Sequence, residues 1–149
     1  MPIVETIRNE MTAAMKSGDA RRRDIMRLLV ASLHNARIEA GHDLDDDEAI
    51  GTLQREAKQR RDSVEEYRKG GRDDLADAEQ EEFDVISTFL PAGMSEEEVV
   101  EIIGAVVSEV GAEGPGDLGK VMRPVMERVA GRADGKRVNE LVREQLASG

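Results

Sequence analysis

The sequence predicts an all-α protein: an N-terminal unit of about four helices over residues 1–91, then a three-helix tail over 92–149. Three observations carry that prediction. Apolar residues recur three and four positions apart along nearly the whole chain, and no run alternates as a strand would. Glycines, prolines and N-capping residues fall between the periodic stretches, where helices stop and start. The apolar 39% consists mainly of Leu, Ile, Val, Met and Ala, with only Tyr67, Phe83 and Phe89 as aromatics, which suits cores between helices.

The elements follow in order. Ile3, Ile7, Met11 and Ala14 mark a first helix over residues 3–17, ended by Gly18. Asp19 can cap a second over 19–40, with Ile25, Leu29, Leu33 and Ala36 on its apolar face and Gly41 at its end. A third starts in the acidic cluster Asp45-Asp46-Asp47-Glu48, which complements the positive end of a helix dipole. Its stripe is Ile50, Leu53, Ala57, Val64 and Tyr67, interrupted by Arg60 and Arg61, and Gly70-Gly71 breaks it. The fourth, over 72–90, carries Leu75, Phe83, Ile86 and Leu90 and should stop at Pro91.

Pro91-Ala92-Gly93 reads as the linker, and Ser95 with Glu98 as a capping box that restarts the chain as helix. Val99, Ile102 or Ile103, Val106 and Val110 define the fifth helix, which breaks at Gly111 and Gly114-Pro115-Gly116. The sixth carries Leu118, Val121, Met122, Val125, Met126 and Val129, with Pro124 expected to kink or restart it and Gly131 to end it. Asp134 can cap the seventh, which carries Val138, Leu141, Val142 and Leu146.

Charge and composition narrow the function. The 149 residues carry a formal net charge of −11, which disfavours indiscriminate nucleic-acid binding. The charge is uneven: residues 1–91 have 14 Lys/Arg against 21 Asp/Glu, 92–117 have none against 7, and 118–149 have 7 against 4. The tail is therefore a basic segment, net +3, on an acidic chain. The absence of cysteine excludes disulfides and thiolate metal sites. The start shows no basic stretch followed by an apolar run, and no apolar segment approaches the ~20 residues of a membrane span, so the expected compartment is the cytoplasm.

No catalytic constellation assembles. Asp43, Asp45 and Asp47 fit the first, third and fifth places of a calcium loop, but Glu48 and Gln54 stand where that loop needs Gly and Glu. His34 and His42 are the only histidines, with no metal-binding pattern around them. No serine lies in a nucleophile elbow, and Gly114-Pro115-Gly116 lacks the strand and the Lys-Ser/Thr of a phosphate loop. Neither a cofactor nor a metal is expected. Arg21-Arg22-Arg23 is flanked by Asp19 and Asp24 and reads as a charged first turn.

The more specific signal is in the tail. On a helical wheel, Lys120 and Arg123 fall opposite the apolar stripe of the sixth helix. Lys136, Asn139 and Arg143 form an i, i+3, i+7 row on the seventh, and Arg132 and Arg137 bracket the turn before it. Long cations with an amide donor around a helix-turn-helix suit phosphate and sugar contacts. With no aromatic in the tail to stack on bases, such a surface would read the shape and 2′-hydroxyls of folded RNA.

Leu118-Gly119-Lys120-Val121-Met122, Gly131-Arg132-Ala133-Asp134-Gly135-Lys136 and Val138-Asn139-Glu140-Leu141-Val142 closely resemble the GatB/YqeY tail domain. Glu56 to Ser63 with Tyr67, Gly71 to Ala76, and Phe89-Leu90-Pro91 resemble the stand-alone YqeY-type proteins, so the resemblance spans the chain. It implies a multihelical N-terminal domain and a three-helix tail that, in the GatB subunit of aminoacyl-tRNA amidotransferase, grips the body of tRNA. It also implies carbon–nitrogen ligase activity with glutamine as amido donor, although the kinase-like and glutaminase parts are absent here. Pro124 departs from the continuous helix expected of relatives. Three readings follow: a non-catalytic tRNA-binding accessory module beside an aminoacyl-tRNA synthetase or amidotransferase, a participant in tRNA-dependent amide transfer, or a protein-interaction module without RNA binding.

Overall fold

The computed structural model describes residues 2–148, and among them it contains seven α-helices and no strand. α1 (Ile3–Ser17), α2 (Ala20–Ala40), α3 (Asp46–Lys69) and α4 (Asp73–Ser87) belong to a first compact unit, Met1–Leu90. α5 (Glu96–Val110), α6 (Leu118–Val129) and α7 (Gly135–Ser148) belong to a second, Pro91–Gly149. A single 3-10 turn, Pro115–Asp117, leads into α6.

In the first unit α1 packs along α2 and α3 along α4. The core gathers Ile7, Met26, Leu29, Leu33, Ala49, Leu53, Ala57 and Ile86. Two apolar positions differ from the periodicity. Leu75 is exposed while its neighbour Ala76 is fully buried, and Ile50 is only half-buried beside buried Ala49 and Thr52.

Arg60, which interrupts the stripe of α3, belongs to the packing after all. Its guanidinium, about one-seventh exposed, meets Glu56 at 2.6 Å, Glu82 at 3.2 Å and Glu79 at 4.0 Å. Glu56 also accepts from the Ser32 hydroxyl at 2.9 Å, so one charged hub joins α2, α3 and α4. Arg61 lies over the Phe83 ring, 5.4 Å from its centroid. No buried side-chain polar atom among the described residues lacks a partner.

Helix ends show what each boundary residue does. Asp45 and Glu48 form a complete capping box at α3, more than the dipole argument required. At α5 the box is only half made: the Ser95 hydroxyl accepts from the Glu98 amide, but the Glu98 carboxylate accepts from that same hydroxyl. α4 ends at Ser87, three residues short of the expected boundary. Thr88, Phe89 and Leu90 instead make i→i−3 backbone bonds, because a residue before proline avoids the α conformation and the last turn tightens.

The second unit packs Val99, Ile103 and Val106 against Val121, Val125 and Val129 and against Val138, Leu141, Val142 and Leu146. Val110, expected on this face, is more than one-third exposed. Pro124 neither restarts nor interrupts α6, which runs unbroken from Leu118 to Val129. The carbonyl that its missing N–H frees belongs to exposed Lys120, where water can satisfy it.

α6 closes on Ala130, not on Gly131. Ala130 takes the left-handed conformation at φ 50°, followed by Gly131 at φ 76°. An alanine there carries a steric cost that glycine avoids. Ala130→Gly is therefore expected to stabilise the protein by about 0.5–1 kcal/mol, read from chemical denaturation. A loss of stability would show that the exposed Ala130 methyl contributes packing.

Candidate nucleic-acid interface

Beside the face by which α7 buries Val138, Leu141, Val142 and Leu146 runs the row Lys136, Asn139 and Arg143. Lys136 and Arg143 are exposed and Asn139 is half-buried. Arg143 Nε donates to Asn139 Oδ1 at 2.6 Å, one turn back. That contact orients the guanidinium and leaves four of its five N–H donors for another acceptor. No carboxylate among the described residues pairs with Arg143.

On α6, Lys120 and Arg123 are likewise exposed. Lys120 Nζ lies 3.6 Å from Asp117 and Arg123 Nε 3.6 Å from Glu127. Solvent-exposed pairs this long contribute little and are readily exchanged for a phosphate.

Arg132 and Arg137 are placed differently. Arg132 Nε donates to the Ala92 carbonyl at 2.8 Å, and the Arg132 carbonyl accepts from the Met94 amide at 2.8 Å. Arg132 thus stitches the segment before α5 to the turn between α6 and α7. Arg137 binds Glu96 at 2.6 and 3.3 Å and Glu140 at 3.0 Å, with Glu144 at 3.6 Å. The hydrogen bonds with Glu96 and then Glu140 raise the Arg137 pKa, and the Arg137 hydrogen bond holds Glu96 below the ordinary carboxylate value. Both arginines therefore have structural work within the second unit.

α5 also answers the basic segment elsewhere. Glu109 pairs with Arg128, and Asp117, whose pKa is lowered chiefly by the Glu113 amide and then by Lys120, sits at the start of α6. The whole unit of residues 91–149 carries 7 Lys/Arg and 11 Asp/Glu, net −4. Beyond those pairs, the exposed cations of the unit are Lys136 and Arg143 on α7 and Lys120 and Arg123 on α6.

The acidic cluster before α3 is occupied by structural contacts. Asp43 binds Arg37 at 2.6 Å, Asp45 caps α3, and Asp46 accepts from the Ile3 amide at 3.0 Å. No group of three or more potential ligands is placed for a metal among the described residues, and no helix there is long and apolar enough to cross a membrane. His42 lies against this cluster. The Asp43 carbonyl, 2.8 Å from Nδ1, and then the Glu48 carboxylate, 3.4 Å from Nε2, raise its pKa above the ordinary 6.5.

The sign of the consequence is fixed. The contribution of protonated His42 to stability is full below pH 6.5 and is lost as pH rises through the higher folded-state value. Ring-proton NMR is expected to find His42 titrating above 6.5, and Glu48→Gln, which keeps a capping side chain, to move it part of the way back. An unmoved titration in that variant would remove Glu48 from the explanation.

Comparison with known proteins places these residues in context. A family model described as Yqey-like protein matches residues 4–146. "Altered inheritance of mitochondria protein 41, mitochondrial" from Pyrenophora tritici-repentis is 27% identical over 150 residues, covering 98% of this chain and 82% of that protein. The protein of the same name from Lachancea thermotolerans is 32% identical over 88 residues, 58% of this chain and 47% of its own length. A glutamyl-tRNA(Gln) amidotransferase subunit from Thermococcus gammatolerans is 44% identical over 57 residues, 36% of this chain but only 9% of that larger protein.

Proposed function

The chain belongs to the YqeY-like protein family, and from that premise we propose that it is a non-catalytic tRNA-binding module acting beside an aminoacyl-tRNA synthetase or amidotransferase. The observation that carries this reading is the α7 row. Arg143 is oriented by Asn139, has no carboxylate partner among the described residues, and is exposed on α7 as Lys136 is. The stretch shared with an amidotransferase component named for glutamyl-tRNA(Gln) supports a tRNA-related setting. That stretch is a small part of the larger protein, so its catalytic activity is not carried over with it.

In this reading Lys136, Asn139 and Arg143 contact the backbone of folded tRNA, with Lys120 and Arg123 as flanking contacts. Arg132 and Arg137 shape the surface without touching the RNA. About three neutralised phosphates give an affinity that falls with log salt at a slope of roughly −2 to −3. A titration with total tRNA at two salt concentrations tests it, and a shallow slope or no binding at low salt would reject it.

A further inference from the structure

The first unit holds a cleft of about 450 Å³ that takes no part in the reading above. Its walls follow from helix periodicity. Val30, Leu33, His34 and Arg37 stand at i, i+3, i+4 and i+7 on one face of α2, and Val4 and Arg8, one turn apart on α1, line the other wall. Leu44 and Asp43, between α2 and α3, complete it. That segment is pinned by the Arg37–Asp43 pair, by the Ile3 amide on Asp46 and by the Asp45–Glu48 capping box. The cleft is therefore preformed, and its size falls within the ~300–1,000 Å³ of small-molecule sites.

Its charges are unequally satisfied. Arg37 is neutralised by Asp43. The Arg8 guanidinium and the His34 ring have no hydrogen-bond or ion-pair partner among the described residues. Val4, Val30, Leu33 and Leu44 supply the apolar wall beside them. An aliphatic trough bordered by an unpaired guanidinium matches an aliphatic body that ends in a carboxylate, which arginine accepts through two parallel N–H donors. Glu5, exposed on the same wall, repels a second negative charge and so favours a monocarboxylate over a diacid.

We propose that the α1–α2 cleft binds an aliphatic monocarboxylate, with Arg8 and His34 on the carboxylate and Val4, Val30, Leu33 and Leu44 along the chain. The carboxylate belongs either to a free aliphatic acid or to the C-terminus of a polypeptide that ends in an aliphatic residue. Amide NMR of the full chain, titrated with octanoate and separately with acetyl-Val-Leu, tests both sources. Saturable shifts confined to the cleft are expected, with a Kd of about 0.1–1 mM for the better probe. Tighter octanoate binding identifies a free acid, and tighter dipeptide binding a polypeptide terminus. Arg8→Gln, a change at an exposed position, is expected to weaken the better probe about tenfold, as is replacing octanoate by octanol where octanoate is the better one. The proposal is overturned if neither probe saturates up to about 10 mM, or if Arg8→Gln leaves both affinities unchanged. The readout is independent of RNA binding.

Discussion

The Lys136→Ala/Arg143→Ala double variant is expected to lose most of the salt dependence of tRNA binding. With a slope of −2 to −3, raising salt from about 50 to 200 mM weakens the unaltered protein roughly 15- to 60-fold. Removing two phosphate contacts flattens the slope by up to about two units and leaves a loss of roughly fourfold or less over the same range. The loss should be similar across tRNA species, because backbone contacts carry no base information. Both side chains are exposed, so stability should change by under about 1 kcal/mol in total. Arg137→Ala supplies the contrast: it should lower the melting temperature by freeing Glu96, Glu140 and Glu144 while leaving the slope intact. An unchanged slope in the double variant would reject the α7 row as the RNA surface, and the protein-interaction reading would then lead.

The second large effect is on the fold. Ile103→Ala removes a fully buried side chain from the middle of α5, in a core cluster shared with Val106, Val125 and Val142 and without aromatics. Truncating a buried isoleucine costs about 2–5 kcal/mol. A core of about sixty residues contributes only ~3–5 kcal/mol in all, so the second unit should be largely unfolded by this one change. NMR should show α5, α6 and α7 resonances collapsing to unstructured positions. Val100→Ala, two-fifths exposed on the same helix, should cost under about 0.5 kcal/mol. Preserved dispersion in the Ile103 variant would mean that the core closes around the gap.

The helices were legible because the period of 3.6 and the stop signals agree almost everywhere: α1, α2, α3, α5 and α7 lie within about two residues of their expected ends. The misses are local. Ala130, which has no sequence signature for a left-handed cap, was hidden by the adjacent glycine. Pro124 does not restart the helix: α6 runs through it, with Val121 and Val125 buried on either side.

Less of the candidate surface was legible. A wheel drawn for one helix shows which cations point outward: Lys136 and Arg143 are exposed, and Asn139 is half-buried. It cannot show that a neighbouring helix brings carboxylates, as α5 does with Glu96 and Glu109. A signal was available: a stretch of seven acids without one cation, residues 92–117, has to meet its counter-charges elsewhere in its unit. The cleft of the first unit left no trace in the sequence, since its residues read as helix faces until α1, α2 and the α2–α3 segment are assembled.

The Arg60 hub bears on how this chain can drift. Arg60 holds Glu56, Glu79 and Glu82 together in a partly dehydrated space, and Arg21 reaches Glu82 only at 3.8 Å, so losing Arg60 leaves three carboxylates largely uncompensated. Losing one glutamate alone is milder, because two remain. Substitution here therefore has a preferred order: acids first, the arginine last, or all replaced together by apolar residues of matching volume. The four positions, scattered over two helices and 27 residues of sequence, are coupled through the Arg60 guanidinium.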